Sequence, residues 1–172
     1  PWEKLAETFL TVYRVEKKWK ERSSALFCSA EALDHLARCA SNAKDARRSV
    51  DRYLQLVRLY PKSSLADDSL CAIAEKMLCQ LEQRAARSGY QLHHTPRVGP
   101  ALAAKARSAY GARELRRAVD RAVEQALADQ IASGTACVGQ HWTADGSADG
   151  ASGLREDETA TLDSIGSSKG AP

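Results

Sequence analysis

Apolar residues recur at helical spacing through most of the first two thirds of the chain. From Trp2 to about Trp19 the stripe is Leu5, Phe9, Val12 and Tyr13. From Ser23 to Ala40 it is Leu26, Ala30, Leu33 and Ala37, and from Asp45 to Tyr60 it is Ala46, Val50, Tyr53, Leu54 and Val57. Pro61 ends that third helix, because the residue before a proline is pushed out of the α region. Ser63 or Ser64 then offers an N-cap to a helix from about Leu65 to Arg87, with Leu70, Ile73, Met77, Leu78 and Leu81 apolar and Gly89 as its stop. Tyr90 to Thr95 alternates weakly and predicts one short strand. Pro96 opens another helix, through about Arg107. After a break at Tyr110-Gly111-Ala112-Arg113 comes the cleanest amphipathic helix, with Leu115, Val119, Ala122, Val123, Ala126, Leu127 and Ile131 on one face, closed by Ser133-Gly134. Val138 to Trp142 reads as a short strand. Asp145 to Pro172, rich in Gly, Ser, Ala, Asp and Thr, has almost nothing to bury and reads as disordered.

A weak internal repeat changes this picture. Ala25-Leu26-Phe27-Cys28-Ser29-Ala30-Glu31 aligns with Ser69-Leu70-Cys71-Ala72-Ile73-Ala74-Glu75, with one more helix between them. Helix pairs repeating at such an interval are what a helical solenoid gives, since each pair must stack on the next to bury its stripe. Composition agrees: only 6% of residues are aromatic, and Ala and Leu dominate the apolar set, which favours packed helices over a β-sandwich. A net charge of +3 is too small to argue for nucleic acid. It hides an asymmetry, with Lys and Arg lying mostly before Arg121 and a mainly acidic stretch after Gly134. Five cysteines without paired spacing suit a reducing compartment better than a disulfide framework. No apolar run is long enough to span a membrane and no signal peptide is visible. The first residue is Pro1 rather than Met, which reads as a fragment or a processed product.

The most specific motif is Tyr110-Gly111-Ala112-Arg113-Glu114-Leu115-Arg116-Arg117 and the helix after it. Gly111 permits a tight entry to that helix and Ala112 keeps the turn narrow. Arg113 then falls in a first helical turn whose free N–H groups already favour anions. A guanidinium there can make forked hydrogen bonds to phosphate oxygens. The motif resembles the sensor-2 sequence of Clp-type AAA+ unfoldases. Around it, Leu70 to Arg87 resembles that family's first small-domain helix, Gly89-Tyr90-Gln91-Leu92 its short strand, and Thr95 to Arg107 its next helix. Leu127-Ala128-Asp129-Gln130-Ile131-Ala132-Ser133-Gly134 resembles its usual ending. The resemblance, over about residues 66–134, implies that Arg113, with Gly111 and Ala112, meets the terminal phosphate of ATP and reports its loss to the lid. Glu114 stands where the family usually has proline, the family's Gly-Tyr-Asp segment is missing, and Lys105 to Ala109 is shorter and more polar.

The sequence holds no G-x-x-x-x-G-K-[ST] phosphate loop and no apolar strand ending in Asp-Glu to hold Mg²⁺. This chain therefore reads as a non-enzyme that binds no cofactor alone. ATP with Mg²⁺ belongs to the resembled parent assembly, where the lid packs on a large ATPase domain or a neighbouring subunit of a ring.

Residues 1–70 carry a second resemblance. Pro1-Trp2-Glu3-Lys4-Leu5-Ala6-Glu7-Thr8-Phe9, Ala25 to Ala37, Tyr53 to Ser63 and Leu65 to Leu70 resemble tetratricopeptide-type repeats, and more narrowly the N-terminal repeats of some bacterial N-acetylmuramoyl-L-alanine amidases. None of that enzyme's zinc-binding catalytic domain is present. The two resemblances meet near Leu70, as a natural fusion or as a chimeric or truncated reading frame would give. His93-His94 with Cys71 and Cys79 match no closed zinc spacing, and adjacent strand residues point to opposite faces. Arg47-Arg48 and Arg116-Arg117 read as solvated faces.

The expected fold is mainly α: a tetratricopeptide-like segment over residues 1–65, a small α/β Clp-type lid over 66–142, and a disordered acidic tail over 143–172. The expected function is that of a non-catalytic C-terminal part of an ATP-dependent unfoldase, coupling nucleotide state to subunit packing. The alternative is a helical-repeat module that holds a protein or peptide. Neither nucleic acid nor membrane is an expected partner. The first resemblance implies a cytoplasmic protein, the second the periplasm or cell envelope.

Overall fold

The computed structural model describes residues 1–40, 43–106, 111–146 and 152–156. Contacts divide the chain into two compact units, Pro1–Ile73 with Ala106–Arg113, and Ala74–Lys105 with Glu114–Pro172. The architecture is the mainly helical one that the apolar periodicity predicts, with a small three-stranded sheet.

The first unit is built from α1 (Trp2–Val15), α2 (Trp19–Ala40), α3 (Ala43–Leu59) and the start of α4 (Ser64–Arg87). Helix α1 packs on α2, and α2 on α3. One core cluster joins Leu26, Leu56, Tyr60 and Ala66, flanked by Tyr13, Phe27 and Leu65. A second joins Ala6, Ala32 and Leu33 beneath Trp2. Small residues let α1 approach α2 closely, so that the Ser29 hydroxyl donates to the Ala6 carbonyl at 2.9 Å. Helix α1 stops before Trp19 because the Glu16 carboxylate takes the Lys17 and Lys18 N–H groups at 2.8 and 3.1 Å. Those donors are lost to a continuing helix, and α2 begins at Trp19 instead, whose ring meets Tyr60 edge-on. Between α3 and α4, the Ser63 hydroxyl accepts the Leu65 N–H at 3.3 Å. The internal repeat buries the same positions in both copies: Ala25, Leu26, Ser29 and Ala30 in α2, and Ser69, Leu70, Ile73 and Ala74 in α4.

The second unit holds β1 (Gln91–His94), α5 (Val98–Lys105), most of α6 (Gly111–Val119), a π-helical stretch over Asp120–Gln125, α7 (Ala126–Ala132), β2 (His141–Gly146) and β3 (Ser152–Glu156). Strand β2 is central, parallel to β1 and antiparallel to β3. Helix α5 packs on β2 and β3, while the π-helical stretch and α7 lie against β3. Leu115, Val119, Val123 and Leu127 are buried at intervals of four residues. In an α-helix such a repeat drifts round the axis by about 40° per step. The wider π turn offsets that drift and keeps the stripe facing inward.

Two expectations shift. The strand foreseen at Val138–Trp142 lies at His141–Gly146, because residues before it close a turn: the Gln140 N–H donates to the Cys137 carbonyl, and the Cys137 N–H to the Gln140 side chain. Order also runs beyond residue 142, since Thr143–Gly146 and Ser152–Glu156 form a paired ladder. A ladder satisfies backbone groups without needing apolar side chains, so composition alone conceals it. Here it is reinforced by Thr95 donating to Asp145 at 2.8 Å, by an Arg155–Asp145 ion pair, and by burial of Trp142 and Ala144. The remainder of the expected tail, residues 147–151 and 157–172, lies outside the described residues.

Candidate functional site

The motif residues Gly111, Ala112 and Arg113 open helix α6, while Tyr110 lies outside the described residues. Gly111 is buried with φ +29°, in the left-handed half of the map, and a Cβ there would stand 3.1 Å from Val57 Cγ1. Both conditions favour glycine. Ala112 is half-buried and Arg113 is exposed. Among the described residues no carboxylate pairs with Arg113, whereas Arg117, on the same helix, is held by Glu114 at 2.8 Å. The Arg113 guanidinium thus has no ionic partner among the described residues and stands in the first turn of a nine-residue helix, beside backbone N–H groups that carry partial positive charge. Such a corner can take an anionic oxygen.

In the second unit, α4 and α6 flank a shallow groove of about 380 Å³, lined in part by Met77, Arg84, Arg87, Arg116, Val119 and Asp120. Arg84 is tied to Glu124 at 3.3 Å. Arg116, solvent-exposed as the sequence suggests, lines this groove.

One partly enclosed polar constellation of that unit is not announced by the sequence. The His94 ring lies between two carboxylates of α4, with Nδ1 2.7 Å from Glu82 Oε1 and Nε2 2.8 Å from Glu75 Oε2. Burial opposes the charged ring, but hydrogen bonds and charges from Glu75 and Glu82 outweigh it and raise the His94 pKa above its usual value. His93 faces away and lies near His141, ring centroids 6.2 Å apart. Cys79, also on α4, is exposed, and no group of three or more metal-ligating side chains occurs among the described residues. The signal that points to the carboxylate pair is Glu75 and Glu82 seven residues apart on one helix, but only the tertiary fold brings β1 against them.

Two comparisons bear on this geometry. No curated protein matches the chain. The family described as the C-terminal, D2-small domain, of ClpB protein matches residues 65–144. The matched segment begins one residue into α4, ends in β2, and takes in β1, α5, α6 and α7. It contains Gly111-Ala112-Arg113 and extends past the Gly134 at which the sequence resemblance stops. Over residues 65–144 the chain is thus similar to the C-terminal small domain of a Clp-family AAA+ protein.

Proposed function

We propose that this domain serves as a nucleotide-responsive lid, in which Arg113 binds the terminal phosphate of an ATP held by a large AAA+ domain. Loss of that phosphate would release Arg113 and let the lid move against a neighbouring subunit. The observation that carries this reading is the exposed Arg113 in the first turn of α6, unpaired among the described residues and inside the segment that matches this family. Chemistry would come from the large domain, which brings the phosphate loop and Mg²⁺; the present residues bind, orient and report. A guanidinium suits the task because it stays charged and presents a rigid fork of donors.

The test is a graft of residues 65–156 in place of the small domain of a working Clp unfoldase. The graft is expected to retain ATP-dependent unfolding, and Arg113→Ala to lower it about tenfold to a hundredfold, the worth of one charged hydrogen-bonding group at about 1.5–3 kcal/mol. Equal activity of graft and alanine variant would reduce Arg113 to a surface arginine.

A second reading rests on the first unit. Val15, Trp19 and Leu59 are large apolar residues left exposed there. A tetratricopeptide-like segment that holds a protein or peptide would use such residues. Substituting all three with Ser and measuring partner capture tests it; unchanged capture would remove this reading.

A further inference from the structure

Glu75 and Glu82 are seven residues apart, about two turns, and so share a face of α4. The His94 imidazole fills the space between their carboxylates, with an acceptor within hydrogen-bonding distance of each ring nitrogen. A neutral imidazole carries one N–H and can satisfy only one of them. Its other nitrogen would then turn a lone pair toward a carboxylate less than 3 Å away. Only the imidazolium donates to both. A third bond, from the His94 backbone N–H to Glu82 Oε1 at 2.9 Å, fixes the strand itself to the same carboxylate. Helix α5 completes the site by what it omits: a Cβ at Gly99 would collide with Glu75 Oε1. The His94 side chain is 12% exposed, so water replaces these partners poorly.

We propose that the second unit is fastened by a single proton, the His94 imidazolium acting as a clamp that joins β1 to α4 and that opens when the ring is deprotonated. The groups facing the ring are Glu75 and Glu82 from α4; β2 sets the uncharged Ala144 beside His94, and α5 brings Gly99. Cys79, between the two carboxylates along α4, is influenced by both and by Lys76, and its thiol is pushed up chiefly by burial. The folded pKa of His94 lies above its ordinary 6.5. The stabilisation is therefore complete below the unfolded value and is lost as pH rises through the folded one.

The test is an NMR titration of the full chain, followed through the Cε1–H signals of its four histidines, with Glu75→Gln, Glu82→Gln and His94→Gln beside the parent. His94 is expected to titrate above 6.5 and to fall by about 1 pH unit in each Glu→Gln variant, as loss of an adjacent opposite charge requires. The parent Tm is expected to drop between pH 6 and pH 9, and that drop to vanish in His94→Gln. Should His94→Gln fail to fold, the midpoints of the parent and the Glu→Gln variants decide alone. A His94 midpoint at or below 6.5, or one unmoved by both Glu→Gln changes, would overturn the clamp.

Discussion

The two units are fastened by different means. The first closes on side chains that bury carbon: Leu26, Leu56, Tyr60 and Ala66 in one cluster, Ala6, Ala32 and Leu33 in another. Its main polar device, Arg48 bonded to Asp45 and Glu7 and paired with Glu3, bridges α1 and α3 at a partly exposed position. The second unit also buries an aliphatic stripe, but its short strands are secured by hydrogen bonds between residues far apart in sequence: His94 with Glu75 and Glu82, Thr95 with Asp145. Apolar packing is indifferent to pH, whereas these bonds depend on protonation. At the alkaline side His94 gives way. At the acid side Asp145 does, because its carboxyl, held below the usual range mainly by the Thr95 hydroxyl, contributes stability above its unfolded pKa that is lost as pH falls through the folded one.

Substitutions can break this contrast. The largest effect is expected at Leu56, which is fully buried. Leu56→Ala should cost about 2–5 kcal/mol in denaturant unfolding, with the His94 titration midpoint unmoved. A shifted midpoint would show that the units do not differ as described. Next is Gly111→Ala, which forces a Cβ into a left-handed conformation near Val57. A loss of about 1–2 kcal/mol is expected in thermal unfolding, and a gain would mean the turn relaxes. The smallest is Gly99→Ala. A helical glycine replaced by alanine ordinarily gains about 0.5–1 kcal/mol. Here the new methyl must displace the Glu75 carboxylate, so a net loss of about 1 kcal/mol is expected near pH 6, after discounting for Glu75's exposure. The same variant should regain the ordinary helical benefit at pH 9, where the parent clamp is open. A pH-independent effect would separate Gly99 from the clamp.

What the sequence discloses follows from this contrast. Helices α2, α3 and α4 carry repeating apolar stripes, and their extents are legible to within a few residues. The start of α6 is legible because its motif is contiguous: glycine, alanine and arginine lie in one turn, and the helix after them is amphipathic. Strand β3 is not, since Ser152-Gly153-Leu154-Arg155-Glu156 has no alternation to speak of and is ordered by its pairing with β2. Nor is the His94 clamp. Its carboxylate partners lie 12 and 19 residues away on another element, and a pair of adjacent histidines suggests metal before it suggests a half-buried imidazolium.

The π-helical stretch over Asp120–Gln125 has a consequence for insertions and deletions. Buried positions 115, 119, 123 and 127 are spaced four, four and four. Removing one residue between Val119 and Val123 would space the same side chains four, three and four, the interval of an ordinary α-helical stripe. The helix therefore carries one residue more than its core requires, absorbed by widening a turn. Chain length at this point is a tolerated variable, where elsewhere in the same helix a single deletion would rotate every later side chain out of the core by about 100°.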